Sequence, residues 1–219
     1  EFASVDNDRY MVDGEYRQTM LALRELNSNS LPNRSWINER LQYTHGFGAA
    51  MGPVNEVTRE GLPVLFLRDL PPQSETNLSV DEPSIYFGEL SNDYVIVNTN
   101  TDEFHYPEGD DNVSSRYDGS GGINLGSLMR RLLFSLRLRS YEILVSGQLN
   151  DSSRVILHRN ISDRVSEIAP FLQYDSDPYS VIADGRVFWI RDAYTVTDNY
   201  PYSTPVASGF NYIRNSVKI

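Results

Sequence analysis

Apolar side chains recur at helical spacing after Asp13-Gly14-Glu15, near the start of the chain. Asp13 can cap the free N–H groups of a helix, and Glu15 suits the positive end of its dipole. Tyr16, Met20 and Leu23 then follow at intervals that place them on one face. We therefore expect a helix here, which ends in the Asn- and Ser-rich turn before Pro32.

A second stretch, Asn124–Arg139, predicts a helix with a broad apolar face. Phe134 and Leu138 lie off that face together with the arginines, so we expect the helix to be covered on more than one side. One alternative is a helix at a lipid surface, with its arginines on anionic headgroups. A core helix whose arginines pair with acidic neighbours is the interpretation that the pattern favours. The apolar face consists of Leu125, Leu128, Met129, Leu132, Leu133 and Leu136, and the arginines are Arg130, Arg131, Arg137 and Arg139.

Shorter patterns predict two more helices and several strands. Ser35 caps one helix that runs through Leu41, and the other covers Ile161 to Ile168 and ends before Pro170. Asp184-Gly185 is typical of a two-residue hairpin turn, and apolar side chains on both faces of the strand after it indicate a central strand. The predicted strands are Val64–Leu67, Ser84–Phe87, Tyr94–Asn98, Val181–Ala183 and Arg186–Ile190.

The order of these elements mixes helices and strands without a regular βαβ alternation. It predicts an α+β fold, in which a mixed, mainly antiparallel sheet packs with three or more helices. At 219 residues the chain fits one soluble domain, residues 1–219. A long polar loop is expected at residues 99–122, and it marks the place where this domain could divide.

The composition narrows the classes of function. A net charge of −11 repels phosphate backbones, so we expect no nucleic-acid partner. The absence of cysteine excludes disulfides, thiolate zinc sites and a cysteine nucleophile. No window of about 18 apolar residues exists, so we expect no transmembrane segment in this piece of sequence. The start at Glu1-Phe2-Ala3, without a signal peptide, leads us to expect a fragment excised from a longer protein.

The stretch Tyr43–Val57 is rich in glycine and contains a histidine, which makes it the first candidate for a site. Its glycines do not match a dinucleotide-binding loop, because a helix-like segment precedes them, and it has no Gly-Lys-Ser/Thr for a P-loop. His45 could be a general base or a metal ligand. We favour a buried histidine, hydrogen-bonded to backbone, that orients a glycine turn. If the stretch lines a cleft, the candidate catalytic residues are Tyr43, His45 and Asn55.

We expect neither a cofactor nor a metal. His45, His105 and His158 are far apart along the chain, and no two histidines have the spacing of a helical zinc site. Calcium could bind the acidic turns at Asp110-Asp111-Asn112 or Asp175-Ser176-Asp177, but solvated turns are the commoner explanation of such residues.

Several long motifs, in order along nearly the whole chain, resemble one family. They are Asp13-Gly14-Glu15-Tyr16-Arg17-Gln18, Trp36-Ile37-Asn38-Glu39-Arg40-Leu41-Gln42-Tyr43-Thr44-His45-Gly46, Pro53-Val54-Asn55-Glu56-Val57, Ile85-Tyr86-Phe87-Gly88-Glu89, Tyr174-Asp175-Ser176-Asp177-Pro178-Tyr179 and Asn211-Tyr212-Ile213-Arg214-Asn215-Ser216-Val217-Lys218. The chain resembles uncharacterised protein family 0182, a family of bacterial multispanning membrane proteins of unknown function. The resemblance implies a soluble part of a large region outside the cytoplasm, and it carries over no activity, cofactor or catalytic residue.

From this resemblance we expect an extracytoplasmic domain at the bacterial cell membrane that serves as a binding or interaction module of the cell envelope. Its expected partners are the rest of its own membrane-embedded chain and an envelope polymer or protein. The alternative is an enzyme that acts on an envelope glycan or lipid in a cleft around His45. A polar pocket joining His45 to a carboxylate would favour the enzyme, whereas a sealed histidine bonded to main chain would favour the module. An exposed apolar patch would indicate a piece that scaffolds its own parent chain.

Overall fold

The computed structural model describes residues 1–206 and 209–219. The protein is mostly β, because 36% of the residues lie in strands and 15% in helices, all of them short. The predicted α+β fold, with a sheet packed against three or more helices, is therefore wrong. No helix in the described part of the chain is long and apolar enough to cross a membrane.

The strands are short, and the named strands pair only in antiparallel fashion. In chain order they begin with β1 (Asp6–Val12), β2 (Glu15–Leu23), β3 (Gly46–Phe47), β4 (Ala49–Pro53), β5 (Leu67–Arg68), β6 (Gln73–Ser74), β7 (Ser84–Ile85), β8 (Val95–Val97) and β9 (Glu103–Glu108). They continue with β10 (Asp111–Ser115), β11 (Ile123–Asn124), β12 (Arg154–Ile156), β13 (Gln173–Tyr174), β14 (Tyr179–Ala183), β15 (Arg186–Ile190), β16 (Asp192–Thr197) and β17 (Tyr212–Lys218).

The α-helices lie in the second half of the chain, and local side chains define their ends. Ser127 caps the first by accepting a hydrogen bond from the Arg130 N–H at 3.3 Å. Asn160 caps the third in the same way. The helices are α1 (Leu128–Leu138), α2 (Glu142–Val145) and α3 (Ile161–Ile168), with a 3₁₀ turn at Ser28–Ser30 and a π-helical turn at Asn38–Gln42. The helices predicted within 124–139, at 161–168 and in the region after Ser35 are therefore confirmed.

The helix predicted after Asp13-Gly14 is wrong, because this segment is the β1–β2 hairpin. Asp13 and Gly14 are the two loop residues, and both have positive φ angles, 50° and 88°, as a type I′ turn requires. Thr19, Leu21 and Leu23 are buried while Met20 between them is exposed. That alternation has the period of a strand, and it outweighs the helical spacing of the larger side chains.

The strands form several small sheets rather than one. The largest has the order β1-β2-β4-β5-β6, and a second has the order β11-β12-β8. A third, β13-β16-β17, occupies the C-terminal part, and β9–β10, β14–β15 and β3–β7 form two-stranded pairs. The fold is therefore built from short antiparallel strands joined by turns. Strand β3 of the candidate stretch belongs to one of the two-stranded pairs.

Apolar side chains form separate clusters beneath these sheets. The cluster under the largest sheet is Leu21, Leu23, Ala49, Met51, Leu67, Ile85 and Ile182. The cluster near α1 and α2 is Leu41, Ile96, Leu125, Ile143, Leu149 and Val155, and a smaller one is Val95, Val97 and Ile156. Burial of each large apolar side chain stabilises the fold by about 1.5–3 kcal/mol.

The predicted hairpin at Asp184-Gly185 is confirmed as β14–β15, but the expectation that β15 is a central strand is wrong. Among the described residues β15 pairs with β14 alone, and Phe188 on it is 42% exposed. The hairpin packs on the largest sheet through Ile182 of β14. The N–H of the same residue donates to the Tyr10 hydroxyl at 2.9 Å.

The polar stretch at residues 99–122 is not the loop that its composition predicts. It contains the hairpin β9–β10, whose turn lies at Gly109 and Asp110. Polar side chains usually indicate exposure, but Glu103 at the start of β9 is buried. Whether the domain divides near these residues stays a prediction.

Helix α1 exposes the leucine-rich face that its sequence predicts to be buried. Leu125, which precedes the helix, is buried, but the leucines on the predicted core face of the helix itself are exposed. The helix packs against the protein through Phe134 and Leu138 instead. The expectation of a helix packed through its leucine-rich arc is therefore wrong.

Candidate functional site

The candidate stretch enters the protein interior directly after the π-helical turn Asn38–Gln42. Leu41 in that turn is wholly buried and anchors it. The N–H of Tyr43 donates to the Asn38 carbonyl at 2.8 Å and ends the turn. The chain then continues as β3, in which Gly46 pairs with Ile85 of β7. This path brings Thr44 and His45 into contact with Glu103 and His105 of strand β9.

Gly46 is needed for close packing rather than for a ligand. A Cβ atom at this position would lie 2.2 Å from the Arg24 carbonyl oxygen and 2.7 Å from the Glu25 Cα atom. Both are backbone atoms that cannot move aside cheaply. The glycine therefore allows β3 to lie against the backbone of residues 24 and 25, which agrees with a structural role for this part of the stretch.

A continuous chain of hydrogen bonds runs through His45. Its Nδ1 lies 2.8 Å from the Thr44 hydroxyl, which itself donates to Oε2 of Glu103 at 2.6 Å. Because the Thr44 hydroxyl donates its only proton to the carboxylate, it must accept a hydrogen bond from His45. Nδ1 of His45 is therefore the protonated ring nitrogen. Its Nε2 then accepts from Nδ1 of His105, 3.1 Å away.

Glu103 is the acceptor at the end of this chain, and its two oxygens receive four donors. Besides Thr44, the Tyr86 hydroxyl donates to Oε2 at 2.9 Å. The backbone N–H groups of Asn98 and Tyr117 donate to Oε1 at 3.3 and 3.2 Å. Glu103 as a whole residue is only 1% exposed. Four donors replace the water that this buried charge has lost.

These five residues, Thr44, His45, Tyr86, Glu103 and His105, form what we call the histidine cluster. Burial, together with the nearby His105 and Arg159, lowers the pKa of His45 to about 3. Burial also lowers the pKa of His105. Burial and the adjacent Glu103 carboxylate raise the pKa of Tyr86. Both imidazoles are thus neutral at neutral pH, which agrees with the donor order found above.

Arg159 ties the cluster to the surrounding backbone. Its guanidinium donates to the carbonyl oxygens of Thr44 at 2.7 Å, Tyr86 at 2.7 Å and Asp93 at 3.3 Å. The residue is only 5% exposed, and burial lowers its pKa to about 10. It therefore remains cationic at neutral pH and joins three segments that are distant in sequence.

The histidine cluster is closed to solvent at His45. The side chain of His45 is 0% exposed. Its ring stacks on the Tyr86 ring at 4.6 Å, and Phe47 covers His105 at 4.1 Å. His105 and Tyr86 are half-buried, and through them the cluster approaches the surface. An imidazole in this setting can accept or pass a proton, but a substrate cannot contact it without local opening of the fold.

The three predicted catalytic residues lie in different surroundings. The Tyr43 ring contacts Phe104 at 5.2 Å, so Tyr43 and His45 pack against neighbouring positions of strand β9. Asn55 is exposed and lines a shallow cavity of about 370 Å³, together with Glu15, Tyr16, Arg17, Gln18, Val54 and Glu56. Within the described residues no hydrogen bond or ring contact joins Asn55 to His45.

The surroundings of His45 agree only in part with the expected buried histidine that is hydrogen-bonded to backbone. His45 is sealed in the core, as a structural histidine should be. Its partners are the side chains of Thr44 and His105 rather than main chain. A carboxylate is also near, since Nδ1 lies 3.7 Å from Oε2 of Glu103. The carboxylate belongs to a closed interior and not to an open polar pocket lined by His45.

The sequence patterns do not indicate four members of this site: Thr44, Tyr86, Glu103 and Arg159. One pattern could have revealed part of it. Glu103-Phe104-His105-Tyr106 alternates polar and aromatic residues with the period of a strand, which places Glu103 and His105 on one face. Arg159 has no such pattern, because nothing in a single sequence distinguishes a buried arginine from an exposed one.

Two of the three histidines meet in space although they are far apart in sequence. His45 and His105 are in contact, whereas His158 is exposed in another place. In the ranges 1–206 and 209–219, no group of three histidine or acidic side chains has the arrangement of a metal site. The histidine cluster is accounted for by hydrogen bonds among its own members.

Comparison with known proteins gives one consistent family. The model of UPF0182, described as an uncharacterised protein family, matches residues 1–219. A UPF0182 protein of Pelotomaculum thermopropionicum is 52% identical over 221 residues, which is 100% of this chain and 24% of that protein. UPF0182 proteins of Geobacter sulfurreducens and Moorella thermoacetica are 50% and 51% identical, again over 100% of this chain and 24% of theirs.

The chain thus spans about a quarter of the length of the curated relatives that it matches. No solved structure matches it.

Proposed function

The chain belongs to the uncharacterised protein family UPF0182, and from this premise we propose that it is a non-catalytic interaction module of a membrane protein in the bacterial cell envelope. In this proposal it lies outside the cytoplasm, as part of a protein of the relatives' length. Its role is to contact other polypeptide or envelope components through its surface. The histidine cluster keeps the interior of the module in one arrangement.

The observation that carries this proposal is the closure of His45. The strongest candidate for a catalytic group has no exposed side-chain surface. Both of its ring nitrogens are already bonded, one to Thr44 and the other to His105. A general base must reach the proton that it abstracts, directly or through one water. A sealed and fully bonded imidazole supports a structural role.

The second candidate function is an enzyme that acts on an envelope glycan or lipid in a cleft around His45. One observation favours it: the chain of hydrogen bonds joins His45 to the Glu103 carboxylate, as the histidine of a catalytic site is often joined to a carboxylate that orients it. This function would require local opening that exposes His45, with Tyr43 at the rim.

A binding and turnover screen with the intact membrane protein separates the two functions. Envelope lipids and glycans are incubated with the wild type, His45→Gln and the exposed control His158→Gln. For the module, we expect ligand binding by correctly folded His45→Gln to equal that of the wild type, with no turnover by any of the three proteins. A substrate converted by the wild type and by His158→Gln, but not by folded His45→Gln, would contradict the module and support the enzyme.

A further inference from the structure

Helix α1 presents a continuous apolar face to solvent, which we call the leucine face. Its members are Leu128 at 71% exposure, Met129 at 64%, Leu132 at 40%, Leu133 at 58% and Leu136 at 69%. At 100° per residue they lie within about 140° of the helix circumference. A cluster of large exposed apolar side chains on one element marks an interaction surface.

The opposite side of α1 holds the helix on the protein. Phe134 and Leu138 pack against the buried cluster that contains Leu125 and Ile143. Arg131 on the same side donates to the Leu125 carbonyl at 2.9 Å. The helix is thus held by a narrow face that carries both apolar and charged side chains. Its broad apolar face is left exposed by the residues that the structure describes. If this helix is covered on more than one side, as its sequence predicts, a further polypeptide or lipid layer must lie on the leucine face.

An anionic lipid surface is a poor match for this face. Arg131 points inward to backbone carbonyls, and the Arg130 guanidinium donates to the Asn124 carbonyl at 3.3 Å. Only Arg137 and Arg139 remain exposed beside the leucines without such bonds to backbone among the described residues. The whole chain carries a net charge of −11, which opposes approach to anionic headgroups.

The length of the relatives indicates what covers the leucine face. This chain aligns over its whole length with only 24% of each relative. In proteins of that length about three quarters of the polypeptide lies outside the region described. A segment of the same polypeptide is held near α1 at high effective concentration and does not lose the freedom that a separate partner loses. Burial of the five side chains would contribute about 1.5–3 kcal/mol for each that is fully covered.

We propose that the leucine face is the docking site for a segment of the parent polypeptide that lies outside these 219 residues. This inference rests on the proposed function and names the partner of the module. Since the face is apolar, the complementary segment is expected to present leucine-like or aromatic side chains to it. Tyr141 at the start of helix α2 and Val145 within it are further exposed apolar side chains, at 70% and 69% exposure.

Site-specific photocrosslinking in the full-length protein tests the inference. Benzoylphenylalanine is introduced at Leu133 or at Leu136, with Arg137 as the matched control on the flank of the same helix, and products are mapped by mass spectrometry. We expect crosslinks to peptides of the same polypeptide from outside this region, in a yield at least about tenfold above that of the Arg137 control. Leu128 provides a further position if either variant fails to fold.

Three results would overturn the inference: crosslinks to lipid, crosslinks to a second copy of the protein, or yields equal to that of Arg137. Failure of the proposed function would look different. It would appear as turnover that depends on His45 in the screen described above, whatever the crosslinks at Leu133 show.

Discussion

His45 shows how a residue that resembles a catalytic group can be part of the protein interior. Desolvation, His105 and Arg159 hold its pKa at about 3, compared with 6.5 in an unfolded chain. The neutral imidazole is the form that fits the bonds to Thr44 and His105. Protonation would leave a buried charge, so the fold favours one protonation state over a wide range of pH.

The stability of the protein should therefore depend on pH through His45. Between pH 6.5 and about 3 the unfolded chain binds a proton at this residue and the folded chain does not. Stability falls as the pH falls, with a contribution to the slope of up to about 1.4 kcal/mol per pH unit. We expect urea unfolding of the wild type to show this loss between pH 7 and pH 5, and His45→Gln to lack this contribution.

His158→Gln is the control for that experiment, since His158 is exposed, and it should retain the wild-type slope. Burial raises the pKa of Glu25, so this residue favours the folded state as the pH falls, opposite to His45. The effect of Glu25 is the same in all three proteins and cancels when their slopes are compared. Identical slopes for the wild type and His45→Gln would show that His45 is not held neutral by the fold.

Arg159 should be irreplaceable even by lysine. Its planar guanidinium donates to the carbonyls of Thr44, Tyr86 and Asp93, and a single ammonium group cannot reproduce that arrangement. We expect Arg159→Lys to lower the free energy of unfolding by about 1–3 kcal/mol for each carbonyl left without a donor. Arg116→Lys is the control, because Arg116 is 71% exposed in its side chain and should change stability by less than about 0.5 kcal/mol. Equal effects of the two substitutions on chemical denaturation would refute this role.

At the level of single residues, the prediction that His45 is buried is confirmed, but its partners were not predicted. The glycine turn expected around His45 is wrong, because Gly46–Phe47 and Ala49–Pro53 are strands, and Gly46 is needed for a close backbone contact within that packing. The roles of Glu103 and Arg159 could not be predicted from the sequence, because their burial depends on contacts between segments that are distant along the chain. Local hydrophobicity predicts exposure for both of them, whereas the tertiary structure supplies the hydrogen bonds that make their burial tolerable.

Among the elements, the two Asp-Gly hairpins give the clearest lesson. Asp184-Gly185 was correctly interpreted because both flanking segments are plainly β in pattern. Asp13-Gly14 has the same turn geometry, with φ angles of 50° and 88°, yet its aspartate also resembles a helix cap. The alternation of buried and exposed residues from Thr19 to Leu23 is seen only in the structure, because the exposed Met20 is as apolar as the buried Leu21 beside it.

Substitution of Gly14 tests that turn directly. A Cβ atom there meets nothing within 4 Å, so Gly14→Ala adds backbone strain at positive φ without a steric clash. We expect a loss of about 1–2 kcal/mol in unfolding free energy. Gly147→Ala is the matched control, because its Cβ also meets nothing within 4 Å and its φ lies outside the strained range. If both variants unfold at the same denaturant concentration, the type I′ turn is not formed in solution.

Helix α1 was predicted correctly as an element and incorrectly in its orientation. Hydrophobic periodicity shows that a helix has an apolar face, but not whether that face meets its own domain or another part of the protein. Here Phe134 and Leu138 meet the domain and the leucine face does not. The disagreement between pattern and burial is thus informative, because it identifies a surface that the described residues, 1–206 and 209–219, do not cover.

For the whole molecule, the family could be identified from sequence because its motifs extend along the entire chain, and the family match over residues 1–219 confirms it. The fold class could not, because short antiparallel strands joined by turns have weak individual patterns. Interaction with the rest of a longer polypeptide remains the central proposal, and it unites the sealed histidine cluster with the exposed leucine face.

The most direct test of that proposal is the accessibility of the leucine face in the intact protein. This chain has no cysteine, so Leu136→Cys and Arg137→Cys can be labelled separately with a maleimide, after replacement of any cysteines elsewhere. Leu136 lies near the centre of the leucine face, about 100° around the helix from Arg137. We expect Leu136→Cys to react at least about tenfold more slowly than Arg137→Cys in the native protein, and both to react equally after denaturation. Equal rates in the native protein would show that the leucine face is uncovered and would contradict the proposal.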